Sequence, residues 1–292
     1  MDTEPNPEAS SRAGRHRVVE KQLIQPFLRW VGNKRALVPE ILKWAPPQRR
    51  AFHEPFMGSA ALFFALQPVC STFLCDANTS LTRTFGALQN DVDEVITRLK
   101  IYAEMYAQHG EAFYYHVRDQ WSEDMESPDL AATFIFLNKT GFNGLYRTNA
   151  GGKYNVPAGK FAKPPIICDE SRLRACSDAL RIATIINCDF RATESRAAPG
   201  DWVYFDSPYV PVSTTAAFTK YTKDDFTDAD QIALRDLAWR LKKKGVYVVL
   251  SNSDTPRVRE LYGNFEIREI TRSGAMNSDT AKRDSVKELL IR

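Results

Sequence analysis

The sequence predicts an α/β fold with an open sheet and an inserted, mainly helical segment, and three features support this prediction. Short apolar runs of strand length end in carboxylates and alternate with helical spacings, as is typical of α/β proteins. About 100 residues without a clear strand separate the second run from the third, more than a βα repeat needs. A Gly- and Asn-rich stretch inside that segment, residues 138–159, predicts a β-hairpin.

Length and composition support an ordinary globular chain. The 292 residues are 43% hydrophobic and 26% charged, which excludes a mostly disordered or fibrous protein. The predicted organisation is a flexible tail at 1–24, a sheet-bearing domain at 25–84 and 165–292, and an inserted domain at 85–164. No apolar run has membrane-span length, and the tail lacks a signal-peptide core, so we expect a cytoplasmic protein without membrane contact. The net charge of +3 is too small to indicate a nucleic-acid partner by itself.

Cysteine and histidine spacing gives no sign of a metal site. The five cysteines show no Cys-x-x-Cys pair, and the four histidines show no His-Glu-x-x-His pattern. The sequence therefore predicts reduced, mostly buried thiols and no metal. No Gly-x-Ser-x-Gly elbow favours a hydrolase.

The first candidate site element is the loop at 26–35, which precedes a helical pattern. Backbone N–H groups at a helix N-terminus, together with Lys34, can hold a carboxylate or a phosphate. The alternative is a surface lysine beside a packed Trp30.

Residues 51–64 predict a strand, a turn of small residues and an apolar helix, the first βα unit of a Rossmann-like sheet. Gly58 and Ser59 would let a ligand approach the backbone, and Glu54 could face a cationic or hydroxyl-bearing ligand. Neither the dinucleotide glycine fingerprint nor a P-loop is present, which makes NAD and ATP weak candidates.

A second strand at 71–75 ends in Asp76, about 20 residues after the small-residue turn, where an acidic residue commonly binds ribose hydroxyls. The alternative is that Asp76 caps the next helix near Asn78 or Thr79. Helical spacing then begins at Leu81 and continues towards Leu137.

The predicted hairpin turns at Asn149-Ala-Gly-Gly152 and would project Arg147, whose guanidinium can bind guanine O6 and N7. Lys139, Lys153 and Lys160 suit phosphate groups. The alternative is a solvated hairpin with ordinary surface charges.

Two further strands end in polar residues. The strand at 184–188 ends at Asp189-Phe190, which could hold an adenine. The strand at 202–205 ends at Asp206-Ser207-Pro208-Tyr209, where a carboxylate and a backbone carbonyl offer two acceptors beside an aromatic ring. That arrangement fits an exocyclic NH2 group on a nucleobase, although the same residues also suit a plain turn. A helix at 227–244, a strand at 247–250 and shorter elements at 256–262, 265–270 and 286–291 complete the alternating pattern.

Together, Phe27-Leu-Arg-Trp-Val-Gly-Asn-Lys34, Glu54-Pro-Phe-Met-Gly-Ser59, Phe142-Asn-Gly-Leu-Tyr-Arg147 with Asn155-Val-Pro157, and Asp206-Ser-Pro-Tyr209 resemble the motifs of Dam-type DNA adenine-N6 methyltransferases. Their order is that of the α-group of these enzymes. The resemblance implies an S-adenosylmethionine-dependent methyltransferase domain at 25–84 and 165–292 and a target-recognition domain at 85–164. It also implies double-stranded DNA as partner, a cognate restriction endonuclease as a candidate partner, and action on DNA in a prokaryote or phage-infected cell.

The resemblance assigns roles residue by residue. It implies a cofactor site formed by Trp30, Lys34, Glu54, Phe56, Gly58, Ser59, Asp76, Asp189 and Phe190. The implied catalytic residues are Asp206, Ser207, Pro208 and Tyr209. The implied DNA-binding residues are Phe142, Asn143, Leu145, Arg147 and Pro157, with Arg147 recognising guanine in GATC-like sites.

Three positions depart from the family pattern. Asn33 and Ala60 replace common glycines, and Ser207 replaces the usual first proline of the catalytic motif. Ser207 keeps its carbonyl but loses the rigidity of the ring, and we expect this to be tolerated. The alternative functions are methylation of cytosine N4 or of an RNA adenine, a non-catalytic DNA-binding role, and a nucleotide-binding oxidoreductase, which the missing glycine pattern disfavours.

Overall fold

A computed structural model describes residues 23–32, 34–210, 226–273 and 285–292. Most of the predicted tail at 1–24 therefore lies outside the described residues, as does Asn33. The strands are β1 Ala51–Glu54, β2 Ser71–Asp76, β3 Ala183–Asn187, β4 Trp202–Phe205, β5 Tyr247–Ser253, β6 Ile267–Ser273 and β7 Ser285–Ile291. The helices are α1 Val38–Leu42, α2 Ala61–Leu66, α3 Thr79–Asn90, α4 Val92–His109, α5 Glu111–Asp119, α6 Ser127–Thr140, α7 Glu170–Leu180, α8 Thr193–Arg196, α9 Asp228–Lys243 and α10 Pro256–Leu261.

All seven strands form one sheet in the order β3-β2-β1-β4-β5-β7-β6. The pairs from β3 to β5 are parallel, whereas β7 pairs antiparallel with both β5 and β6. The parallel strands point their carboxyl ends to one edge, and β1 and β4 lie side by side at its centre. Residues that follow these two strands therefore meet in one crevice.

Side-chain alternation on β4 divides the core between the two faces of the sheet. Trp202 and Tyr204 belong to the larger apolar cluster, whereas Val203 and Phe205 belong to the smaller one. All four side chains are fully buried. The short apolar run preceding Asp206 thus forms a central strand covered on both sides, as the sequence predicts.

Helices α3 to α7 lie between β2 and β3 in the chain. The α6 helix packs against α3, α4 and α5, and its residues from Leu130 to Thr140 are buried. The hairpin that follows differs from the prediction in detail, because its two sides form only isolated bridges, Gly141 with Ala158 and Thr148 with Tyr154. The boundaries of the inserted domain stay a prediction.

The prediction that the cysteines are all reduced and mostly buried is wrong. Cys75, at the end of β2, and Cys188, just after β3, form a disulfide. Parallel pairing of β2 with β3 places Cys75 beside Ile186, so residues distant in sequence come together at this edge. Of the three free cysteines, only Cys176 is buried.

No helix in the described ranges is long and apolar enough to cross a membrane.

Asp201 anchors a polar cluster at the start of β4. Its buried carboxylate accepts hydrogen bonds from Arg50 at 2.9 and 3.2 Å and from the backbone N–H of Ala198 at 2.9 Å. The Nε2 atom of His53 lies 3.0 Å from the same carboxylate. Burial alone would raise the pKa of Asp201, but the hydrogen bonds from Arg50, Ala198 and His53 outweigh it and hold that pKa below its usual value. Ionised Asp201 therefore stabilises the folded protein above the unfolded-state pKa of aspartate, and this stabilisation is lost as the pH falls through the lower folded pKa.

We expect Asp201→Asn to lower the free energy of unfolding by about 2–3 kcal/mol, because it removes the charge from a buried set of donors. Urea unfolding at neutral pH measures this loss. Asp178→Asn is the control, since Asp178 is exposed and forms a surface ion pair with Arg181 one turn away. Equal losses in the two variants would contradict a special contribution of Asp201.

Candidate active site

The crevice at the carboxyl end of β4 is centred on Asp206. The Nζ atom of Lys34 lies 3.0 Å from Asp206 Oδ1, and the hydroxyl of Ser251 donates to the same oxygen at 2.9 Å. Among the described residues, no donor reaches Asp206 Oδ2. Burial raises the pKa of Asp206 above its usual value, although Lys34 and Ser251 oppose the rise. Asp206 thus presents one occupied and one available oxygen.

Lys34 also joins Asp206 to Tyr209. Its side chain is only 6% exposed, so it is not the surface lysine of the alternative interpretation. Its ammonium lies 4.4 Å from the centroid of the Tyr209 ring and donates to the Gly32 carbonyl. The Tyr209 hydroxyl donates to Glu288 Oε2 on β7 at 2.8 Å, which fixes the far end of the ring. The carboxylate and the aromatic ring are therefore held as one unit.

Neighbouring side chains hold the turn after Asp206. The Pro208 carbonyl accepts from Gln231 at 2.8 Å, and Gln231 in turn accepts from Asn252. Ser207 is 3% exposed, and its Oγ atom has no hydrogen-bond partner among the described residues. The serine that replaces the family's proline thus leaves a buried hydroxyl unpaired beside the carboxylate.

The small-residue turn after β1 has no room for a side chain at its glycine. Gly58 has a φ of +46°, and a Cβ there would lie 2.7 Å from the Trp30 ring. The Gly58 N–H donates to Asp76 Oδ2 at 3.1 Å, which ties the ends of β1 and β2 together. Ser59 is buried in the same turn. Trp30 lines a small cleft with Val31, Gly144 and Tyr146 and packs against the Phe134 and Tyr146 rings.

Two carboxyl groups at these strand ends have raised pKa values. Burial raises the pKa of Asp76 to about 6, although the Asn78 and Gly58 N–H groups oppose the rise. Burial and the nearby Asp206 charge raise the pKa of Glu54 well above its usual value. Asn78, not Asp76, caps α3 by accepting from Leu81. Both carboxylates would gain from a cationic or hydroxyl-bearing ligand.

Asp189 and Phe190 differ in their exposure to solvent. Asp189 is exposed and accepts from Arg191, whereas Phe190 is buried and stacks on Phe56 with ring centroids 5.3 Å apart. Phe56 also meets Phe205 edge-on. These aromatic rings form an apolar wall near the end of β4.

Asn138 connects the loop before α1 to the predicted recognition segment. Its side chain accepts from the Arg29 N–H at 2.8 Å and donates to the carbonyls of Arg29 and Gly144. Gly144 has a φ of +65°, and a Cβ there would lie 2.6 Å from the Arg29 Cβ. Segments about a hundred residues apart in sequence therefore lie against each other.

The residues assigned to DNA binding line one segment, Phe142 to Pro157. Phe142 is 47% exposed, and its N–H donates to the Pro157 carbonyl at 2.9 Å. Asn143 has a φ of +53°. The Leu145 carbonyl accepts from Tyr154. Arg147 is exposed and donates to the Asn155 side chain at 2.7 Å and its carbonyl at 3.3 Å, so its guanidinium is held near the turn.

Sequence reasoning did not identify several side chains of the site. Ser251 directly follows the predicted strand at 247–250, so the rule that located Asp206 applied to it as well. Glu288 is a carboxylate within an apolar strand pattern, which was a detectable signal. The site residues that the sequence analysis does not predict are Asn138, Gln231, Ser251, Asn252 and Glu288. In the described ranges, no group of three or more His, Cys, Asp or Glu side chains is arranged to hold a metal ion.

Comparison with known proteins identifies the family. A family model described as D12 class N6 adenine-specific DNA methyltransferase matches residues 30–276. The chain is 36% identical to the type II methyltransferase M.MjaIII of Methanocaldococcus jannaschii, over 92% of this chain and 98% of that protein. It is 34% identical to the type II methyltransferase M1.LlaDCHI of Lactococcus lactis subsp. cremoris, over 92% and 95%. A DNA adenine methylase of Vibrio cholerae is 32% identical over 90% and 94%. The resemblance drawn from the motifs is confirmed, and the chain belongs to the D12 class of N6 adenine-specific DNA methyltransferases.

Proposed function

We propose that Asp206 Oδ2 and the Ser207 carbonyl hold the N6 amine of a flipped adenine in duplex DNA, while Tyr209 stacks on the base. The observation that carries this proposal is the joint placement of Asp206 and Tyr209 by Lys34. One carboxylate oxygen is occupied, the other has no donor in the part of the chain that the structure describes, and the Tyr209 ring lies nearby. The amine loses one proton for each methyl group it gains, and the two acceptors can take hydrogen bonds from its N–H groups.

The chemistry of this site is orientation and charge stabilisation. The adenine N6 lone pair is delocalised into the ring, so the amine is a weak nucleophile until acceptors draw on its hydrogens. Asp206 and the Ser207 carbonyl supply those acceptors and stabilise the positive charge that develops on N6. Asp206 must be ionised for this. Because its pKa is raised, we expect activity to be lost on acidification at a higher pH than an ordinary aspartate would give.

S-adenosylmethionine is the proposed methyl donor, and when bound it supplies an electrophilic methyl group on a sulfonium. The residues at the ends of β1 and β2 fit such a ligand. Gly58 has no side chain, and the Trp30 ring packs directly against its backbone. Glu54 and Asp76 offer carboxyl groups to a ligand that bears a positive charge and hydroxyls. Trp30, Lys34, Phe56, Ser59, Asp189 and Phe190 complete the proposed cofactor site.

We expect Asp76→Asn to weaken binding of S-adenosylmethionine about 10-fold or more, because a charge-assisted hydrogen bond to the ribose contributes roughly 1.5–3 kcal/mol. Isothermal titration calorimetry measures the dissociation constant, with Asp178→Asn as a surface control. Unchanged affinity in a folded Asp76→Asn protein would place the ribose elsewhere.

Recognition of DNA is proposed for the segment from Phe142 to Pro157. Arg147 would bind a guanine of a GATC-like site, while Phe142, Asn143, Leu145 and Pro157 support the segment against the duplex. Extracting the adenine costs roughly a few kcal/mol, which stacking on Tyr209 offsets. A cognate restriction endonuclease is a proposed partner, and the DNA substrate is the reason to propose action in the cytoplasm of a prokaryote or phage-infected cell.

The proposal is tested by incubating the protein with S-adenosylmethionine and unmethylated duplexes with or without GATC, then identifying methylated nucleosides by mass spectrometry. N6-methyladenine confined to the GATC duplex is the expected result. N6-methyladenine in both duplexes would reject the proposed sequence. N4-methylcytosine or no methylated base would contradict the proposed reaction, which adenine-specific family membership favours over those alternatives.

A further inference from the structure

A short chain of hydroxyl groups leads from the core of the sheet to Asp206. The Tyr204 hydroxyl lies 2.9 Å from Ser251 Oγ, and Ser251 Oγ lies 2.9 Å from Asp206 Oδ1. Tyr204 and Ser251 are fully buried. Tyr204 lies on β4, two residues before Asp206, which directly follows that strand. Phe205 on β4 pairs with Leu250 on β5, so the next residue of β5, Ser251, lies alongside Asp206. Strand register therefore fixes all three groups.

The chemistry of the groups fixes the direction of the hydrogen bonds. An ionised carboxylate only accepts, so the single proton of the Ser251 hydroxyl points to Asp206. Ser251 Oγ must then accept from Tyr204, which gives a one-way chain from Tyr204 through Ser251 to Asp206. Hydrogen bonds linked in this way strengthen one another in a low-dielectric interior.

This chain determines which carboxylate oxygen faces the substrate. Lys34 and Ser251 both bind Oδ1 from different elements, the loop before α1 and β5, so the carboxylate is restrained in rotation. Among the described residues, Oδ2 alone is left as an acceptor. Misplacement of a reacting group by about 1 Å can reduce a rate 100-fold, so this restraint matters for transfer.

We propose that Ser251, supported by Tyr204, is a positioning residue that presents Asp206 Oδ2 to the target amine. The inference rests on the proposed function of Asp206. Ser251 acts through the carboxylate in this arrangement, and it also lies within hydrogen-bonding reach of the Tyr209 hydroxyl.

The charges around Asp206 set the sign of the expected pH effect. Lys34 favours its ionised form, whereas Glu54 and Glu288 oppose it, and Tyr204 and Tyr209 are neutral at ordinary pH because burial raises the pKa of both. The hydrogen bond from Ser251 lowers the pKa of Asp206. Without this hydrogen bond, less counteracts the effect of burial, and the pKa of Asp206 rises further. On acidification, ionised Asp206 is then lost at a higher pH.

The test is the single-turnover methylation rate as a function of pH for Ser251→Ala, Ser251→Thr and Tyr204→Phe. We expect Ser251→Ala to lower the rate about 10- to 100-fold at neutral pH, with its acid limb moved to higher pH and unchanged affinity for S-adenosylmethionine. Ser251→Thr keeps the hydroxyl, so we expect it to restore both the rate and the pH at which the rate falls on the acid side. Tyr204→Phe should move the limb in the same direction by less.

Ser177→Ala is the matched control, because Ser177 is a buried serine on α7, away from the crevice. A folded Ser251→Ala protein with the wild-type limb, or a loss that Ser251→Thr does not rescue, would overturn the positioning role. If Asp206→Ala itself methylated DNA normally, the proposed function would fail instead, so the two failures are distinguishable.

Discussion

Asp206→Ala is expected to reduce methyl transfer about 1,000-fold or more while leaving affinity for S-adenosylmethionine nearly unchanged. The substitution removes an acceptor for the target amine and the charge that stabilises the developing cation. It also removes the ion pair at 3.0 Å between Lys34 and Asp206, while the Gly32 carbonyl still accepts from the Lys34 ammonium. Single-turnover kinetics with radiolabelled methyl donor measure the rate, and calorimetry measures the cofactor affinity.

Asp236→Ala serves as the control for Asp206→Ala, because Asp236 lies on α9 and is half-exposed beside Arg235. It should methylate at the wild-type rate. The assignment of Asp206 would be refuted by loss of cofactor affinity with an intact transfer rate, since the residue would then belong to the cofactor site.

Arg147→Ala is expected to relax the choice of sequence at one guanine. A bidentate contact to guanine discriminates by roughly 1–3 kcal/mol, which corresponds to about 5- to 150-fold. Because Asn155 holds the guanidinium at 2.7 Å, Asn155→Ala should show the same relaxation to a smaller degree. The measurement compares kcat/KM on a cognate duplex with that on duplexes substituted at each position.

Lys153→Ala is the control within the same turn. Its exposed side chain is suited to a phosphate, so the variant should weaken binding similarly on every sequence and reduce the dependence on salt. If Arg147→Ala behaved in the same way, with equal loss on all duplexes, Arg147 would contact the DNA backbone instead of a base.

The sequence predicts those parts of the fold that depend on local pattern. The strand at 202–205 and the helix capped by Thr227 match β4 and α9, because an uninterrupted apolar run and a capping box are local signals. The sheet order is not local. No pattern in β7 indicates that it enters between β5 and β6, and so the link from Tyr209 to Glu288 could not be foreseen.

The site shows the same division. The sequence predicts Asp206 and Gly58 as site residues because a polar residue after a strand and a glycine in a tight turn have recognisable local causes. The Asp201 cluster and the disulfide depend on the register between strands distant in sequence, and the partners of Lys34 depend on where its loop meets the end of β4. The hairpin was recognised from its turn residues, but its sides pair only through bridges, because Gly and Asn promote the turn and contribute little to strand pairing.

The position of β7 has a consequence for the order in which the site is assembled during protein synthesis. Glu288 reaches Tyr209 from 79 residues further along the chain, on a strand that also completes the pairing of β5. Ribosomes add about 5–20 residues per second, so several seconds separate the appearance of Tyr209 from that of its anchor. A nascent chain that has the catalytic motif but not yet β7 lacks both the anchor and the completed sheet. The contact that anchors the Tyr209 ring can therefore form only after β7 has been synthesised.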